Sequence, residues 1–116
     1  PYPAAILVNM AEQYPNEWYA FVHDDTDQLE IDITRDMFPN MSGSKLNAFY
    51  AAYKYNEHGK ASLKLNEEID LKHNKLLPEP GLSVGAKGET WTFKAKGNKR
   101  ALENMVLAIS YKANVE

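Results

Sequence analysis

From Gln28 to Thr34 apolar and polar positions alternate without a break. Leu29, Ile31 and Ile33 fall on one side, and Glu30, Asp32 and Thr34 on the other, which is the two-residue period of a half-buried strand. The same period returns in Ala61 to Leu65, in Trp91 to Lys96 and in Met105 to Tyr111. In the last of these the second side, Val106, Ala108 and Ser110, is also mostly apolar, so it is expected to be a central strand, covered on both sides or flanked by neighbours. Asn47 to Asn56, where Phe49, Tyr53 and Tyr55 interleave with Tyr50 and alanines, reads as a further strand. A short strand from Ala4 to Met10 follows an extended entry, Pro1-Tyr2-Pro3. The period lengthens only once. Tyr14, Trp18, Phe21 and Val22 recur at spacings of three and four, predicting an amphipathic helix that ends at His23, with Pro15 in its first turn and Gln13 or Tyr14 outside it.

The connections are rich in residues that bend the chain. Asn40-Met41-Ser42-Gly43-Ser44 predicts a turn after Met37-Phe38-Pro39, and Glu57-His58-Gly59-Lys60 predicts a hairpin turn feeding Ala61. A bend is expected at Glu67-Glu68, beyond which Ile69 and Leu71 resume the alternation. Leu76-Leu77-Pro78-Glu79-Pro80-Gly81 should carry the chain from one sheet to the other. Gly97-Asn98 turns the next strand, and Lys99 to Asn104 makes one helical turn or a loop. Six strand candidates, short connections and one helix predict an antiparallel β-sandwich with the helix packed across one opening. A parallel α/β fold would need a helix between successive strands.

Composition narrows the chemistry. The 116 residues suit one domain, 1–116, and the abrupt start at Pro1 fits a segment excised from a longer polypeptide. Cysteine is absent, so disulfides, thiolate metal sites and cysteine nucleophiles are excluded. A net charge of -3 offers no broad attraction for nucleic acid or anionic lipid. The longest apolar run, Ala4 to Val8, is far below the ~20 residues of a spanning helix, so the chain reads as soluble, without membrane contact of its own.

Several groupings suggest chemistry and are each more simply read as structure. Asp24, Asp25 and Asp27 beside His23 lack the alternate donors, glycine and distant glutamate of a calcium loop. His23, His58 and His73 lie in separate elements without ligand spacing or an acid–base partner. Ser42 and Ser44 flank Gly43 but form no nucleophile elbow. Asn40-Met41-Ser42 matches a glycosylation sequon, which matters only for an exported chain in a glycosylating source. Gly88-Glu89-Thr90-Trp91 resembles the end of a sialidase aspartate box, but Val84 and Ala86 stand where that box has serine and aspartate. It reads as a turn and a core-facing tryptophan. No catalytic, cofactor-binding or metal residue is assigned, and the expected class is not an enzyme. The aromatics Trp18, Tyr19, Tyr50, Tyr53, Tyr55 and Trp91 leave a second class open, a carbohydrate-binding module stacking sugar rings on exposed tyrosines. Most of them fall on apolar stripes and are expected in the core.

Two signatures occur in order: Gln13-Tyr14-Pro15-Asn16-Glu17-Trp18-Tyr19 ahead of an acidic loop, then Leu29 to Thr34 leading into Asp36-Met37-Phe38-Pro39. With the closing run Glu103 to Tyr111, this resembles the carboxy-terminal region of the A component of bacterial insecticidal toxin complexes and related virulence proteins. Asn104 stands where that family often has an acidic residue. The resemblance implies a β-sandwich that binds the B component, a noncatalytic role, and secretion or surface display as part of a toxin complex. It carries over no site residue.

Overall fold

In the computed structural model, which describes residues 1–115, β1 (Tyr2–Asn9) runs directly into a helical turn, α1 (Met10–Gln13). The Asn9 side chain accepts the Glu12 N–H and caps that turn. Met10, expected in the strand, therefore starts the helix instead. Tyr14 interrupts the helix, and Pro15 opens α2 (Pro15–His23) from its first position, where its missing N–H is no loss. Trp18, Phe21 and Val22 are the buried stripe of α2. Arg100 donates to the His23 carbonyl and Lys99 to the carbonyls of Asp24 and Thr26, so two cations meet the carboxyl end of the helix.

The remaining strands are β2 (Leu29–Ile33), β3 (Met41–Tyr55), β4 (Ala61–Leu65), β5 (Ile69–Leu71), β6 (Lys75–Pro78), β7 (Glu89–Gly97) and β8 (Leu102–Ala113). They form two antiparallel sheets, β1-β8-β3-β6 and β2-β7-β4-β5, packed together as a β-sandwich with the short helix near the amino end, as expected from the alternation. Leu29, Ile31, Ile33, Leu63, Leu65, Trp91 and Phe93 of one sheet meet Phe49, Met105, Leu107 and Ile109 of the other in a single buried cluster. Among the described residues no helix is long and apolar enough to cross a membrane.

Three connections differ from the expectation. β3 begins at Met41, not Asn47, because the glycine–serine stretch is a bulged strand rather than a turn. Gly43 takes a positive φ of 67° there, and Leu46 and Ser44 are held by backbone bonds to Leu82 and Val84. The segment Glu57 to Lys60 is not a hairpin, since β3 and β4 lie in different sheets. It is an arch over the end of the core, forced because β4 must bury Leu63 and Leu65 against the sheet that holds β3. The bend at Glu67 is a true hairpin, with Asn66 and Glu67 both at positive φ, and pairs β4 with β5. The proline cluster is partly strand: β6 pairs with β3, and the crossings between sheets fall on either side of it.

Gly88 lies in the turn before β7, at a φ of 76°, with the Ile33 carbonyl only 2.6 Å from where a Cβ would sit. Trp91, just beyond it, is 2% exposed, as the core reading required.

Candidate functional site

The groupings with possible chemistry are scattered. His23 stacks on Tyr19, with ring centroids 4.3 Å apart, at the end of α2. The His58 N–H donates to Asn56 in the arch. His73 lies between β5 and β6, where its Nδ1 accepts the Tyr53 N–H at 3.0 Å. The acidic loop turns two of its carbonyls onto the Lys99 ammonium, so a cation of the protein's own already occupies the loop. Among the described residues no group of three or more histidine and carboxylate side chains is placed to hold a metal ion. Asn40 is exposed at a φ of 58° in the turn before β3.

The six aromatics do not gather into a platform. Trp18, Tyr53 and Trp91 are buried and Tyr55 is half-buried. Trp18 donates its indole N–H to the Glu103 carbonyl, which fixes α2 against the start of β8. Tyr53 reaches across the core: its hydroxyl donates to the Leu71 carbonyl and accepts the Leu63 N–H at 2.9 Å. Burial above all, and then the Tyr55 and Asp70 charges, raise its pKa well beyond the ordinary tyrosine value of 10.0, while the Leu63 bond works in the other direction. Of the six, Tyr19, 64% exposed on α2, and Tyr50, 38% exposed on β3, are left outward, and they sit on separate elements, as does Tyr2, 43% exposed on β1.

What distinguishes the molecule is the contrast between its two outer faces. On the second sheet the outward positions are polar and charged. Asp32 accepts from Thr90, Glu30 stands opposite Thr92, Lys94 pairs with Glu67 and Lys96 with Asp70, both at 3.4 Å. The middle of the first sheet presents the opposite surface, bounded toward the arch by the Lys54–Glu103 pair at 3.4 Å. Its registers place Leu7, Ala108, Tyr50 and Leu76 in one line across all four strands. Ala5, Ser110, Ala48 and Pro78 form the next line, and Val106 and Ala52 continue the field on the other side. None of these is charged, and Leu7 and Leu76 are 67% and 59% exposed. At one end Lys45 and Lys112 line a shared hollow with Glu79, and neither lysine makes an ion pair among the described residues.

β8 is central, as its pattern predicted, and of the two readings that its apolar second side left open, covered or flanked by neighbours, the flanked one holds. Val106, Ala108 and Ser110 are only half-buried, shielded by their in-sheet neighbours and by no further layer. The signal lay in the sequence as a strand apolar on both sides. It was the alanines of β3 and the leucine of β1, strands distant along the chain, that joined it into a surface. A contiguous uncharged field on a solvent face is what protein-contact surfaces show and what ordinary outer sheet faces avoid. A scan of protein-family models, a search of curated proteins and a search of solved structures each find no match to this chain.

Proposed function

We propose that this domain is a noncatalytic docking module whose protein partner lies on the outer face of the first sheet. The observation that carries the reading is the uncharged line from Leu7 through Ala108 and Tyr50 to Leu76, set against a second sheet whose outer face is laced with charges. Small residues at its centre permit close approach, and Tyr50 supplies the kind of large anchor that dominates binding energy at contact surfaces. Lys45 and Lys112 outnumber Glu79 in the hollow at one end, and that positive balance favours a partner that brings a carboxylate to the border. The resemblance of the Trp18 and Phe38 signatures to toxin-complex A components makes a B-like component the partner of choice, and export in such a complex follows from the same reading. Sugar binding is the weaker alternative, since the outward tyrosines stand on separate elements.

Titration of the chain against a B-like component by calorimetry tests the reading. Binding at tens of micromolar or tighter is expected. Tyr50→Lys and Ala108→Lys should weaken it by about tenfold or more, the loss of a hot-spot contact. Failure to bind, or indifference to both substitutions, overturns the proposal.

A further inference from the structure

The two sheets have four edges, and three of them are guarded. β2 carries Glu30 and Asp32, β5 is three residues long with Asp70 at its centre, and β6 is four residues running from Lys75 to Pro78. Charge, shortness and proline are the usual means by which native sheets discourage pairing with another strand. β1 is the least guarded: eight residues, none charged, with its one proline, Pro3, near the start and β8 as its strand partner.

Which of its backbone groups remain open follows from the alternation of an antiparallel ladder, where each residue turns its N–H and C=O to the same side. On β3 the Ala51 carbonyl accepts the Asn74 N–H and the Tyr53 N–H donates to His73, so odd-numbered residues there turn toward β6. Even-numbered ones turn toward β8, through the pairs Tyr50 with Ala108 and Ala52 with Val106. On β8, Leu107 and Ile109 must then answer Val8 and Ile6 of β1. The outer edge of β1 is left to Pro3, Ala5, Leu7 and Asn9. The Asn9 N–H does point that way, and Gln13 Oε1 takes it. Pro3 has no N–H to give. The open donors are therefore those of Ala5 and Leu7.

We propose that β1 pairs with β1 of a second copy of this chain, antiparallel, about a two-fold axis at Ile6. In that register Ala5 of each copy faces Leu7 of the other, and each such pair exchanges two N–H···O=C bonds, so every open donor is satisfied. Pro3, which lacks a donor, falls opposite Asn9, whose donor is already used. Small meets large on both sides of the new pair: Ala5 against Leu7 outward, Ala4 against Val8 inward, with Ile6 meeting its own copy. Centring the axis on Ala5 instead would set the Leu7 carbonyl against proline, and centring it on Leu7 would set Ala5 against the occupied Asn9. The result is a continuous eight-stranded sheet formed by two copies of β6-β3-β8-β1. This pairing uses the backbone edge of the sheet; it shares the Leu7 side chain with the docking face but does not involve Tyr50.

Sedimentation velocity on the full chain between about 1 and about 200 μM spans the range expected of a contact this small. A concentration-dependent rise toward the mass of two chains is expected. Leu7→Lys, at an exposed position, and Ala5→Pro, which removes one open donor per copy, should each weaken the dimer at least about tenfold. Tyr50→Lys, in the middle of the face, should leave it intact. Circular dichroism checks the fold of each variant, and if Ala5→Pro misfolds, Leu7→Lys alone decides. A single-chain mass at every concentration overturns the proposal. So does a dimer that tolerates Leu7→Lys, or one lost on Tyr50→Lys and kept on Ala5→Pro.

Discussion

Tyr53 shows what one side chain contributes to holding two sheets in place. It projects inward from β3, and its hydroxyl sits between β4 and β5, closing bonds to Leu63 and Leu71. Tyr53→Phe keeps the ring and strands both backbone groups away from water, so a loss of about 1–3 kcal/mol is expected in urea denaturation. The same burial makes stability sensitive to alkali. Below pH 10.0, the ordinary value, the hydroxyl is protonated in the folded and unfolded chains alike and its contribution is complete. As pH rises past 10.0 the unfolded chain gives up the proton while the folded one, whose pKa is raised, keeps it. The unfolded state then binds fewer protons, and stability falls by about 1.4 kcal/mol per pH unit for such a group. Denaturation midpoints compared at about pH 9 and about pH 11 should drop steeply in the native chain and less steeply in Tyr53→Phe. An equal drop in both would remove Tyr53 as the cause.

Between elements, the junctions decide what the strands alone leave open. Gly88 lets the chain enter β7 within 2.6 Å, at the position of a would-be Cβ, of the carbonyl that ends β2. Gly88→Ala combines a left-handed backbone with that clash, and a loss of about 1–3 kcal/mol is expected, read as a lower thermal midpoint with unchanged far-ultraviolet dichroism. Gly43→Ala meets no atom within 4 Å and carries only the backbone penalty, so it should cost less. Strand patterns such as Leu29 to Ile33 and Trp91 to Ala95 are legible in the sequence because burial on one face enforces a two-residue period directly. Junctions are less legible, since an arch and a hairpin use the same residues. Glu57-His58-Gly59-Lys60 has hairpin chemistry, yet the burial of Leu63 and Leu65 against the opposite sheet made it an arch. The docking face was half legible. Val106 and Ala108 gave the signal within one strand, but the line to Leu7, Tyr50 and Leu76 depends on registers that no local pattern encodes.

At the scale of the whole molecule, the strand nearest the carboxyl end of the described residues is the one that the first sheet is built around. β8 lies between β1 and β3, with Tyr2 opposite Ala113 and Tyr53 opposite Met105. It also contributes Leu102, Met105, Leu107, Ile109 and Tyr111 to the core. Without it β1 has no strand of its own chain to pair with and β3 retains only four-residue β6, while the inner face of the second sheet is left open to water. Local hydrogen bonding in the hairpin of β4 and β5 cannot compensate, because isolated strand pairs are marginal in water. A chain ended after Ala101 should therefore lose the cooperative unfolding transition altogether, rather than unfold at a lower temperature, and should bind an apolar dye at neutral pH as loosely packed states do. Thermal melts of the shortened and full chains, followed by the fluorescence of Trp18 and Trp91, make the comparison, since both tryptophans are buried in the intact sandwich. A sigmoidal melt in the shortened chain would mean that the second sheet and α2 hold a core of their own, and that β8 completes the fold instead of founding it.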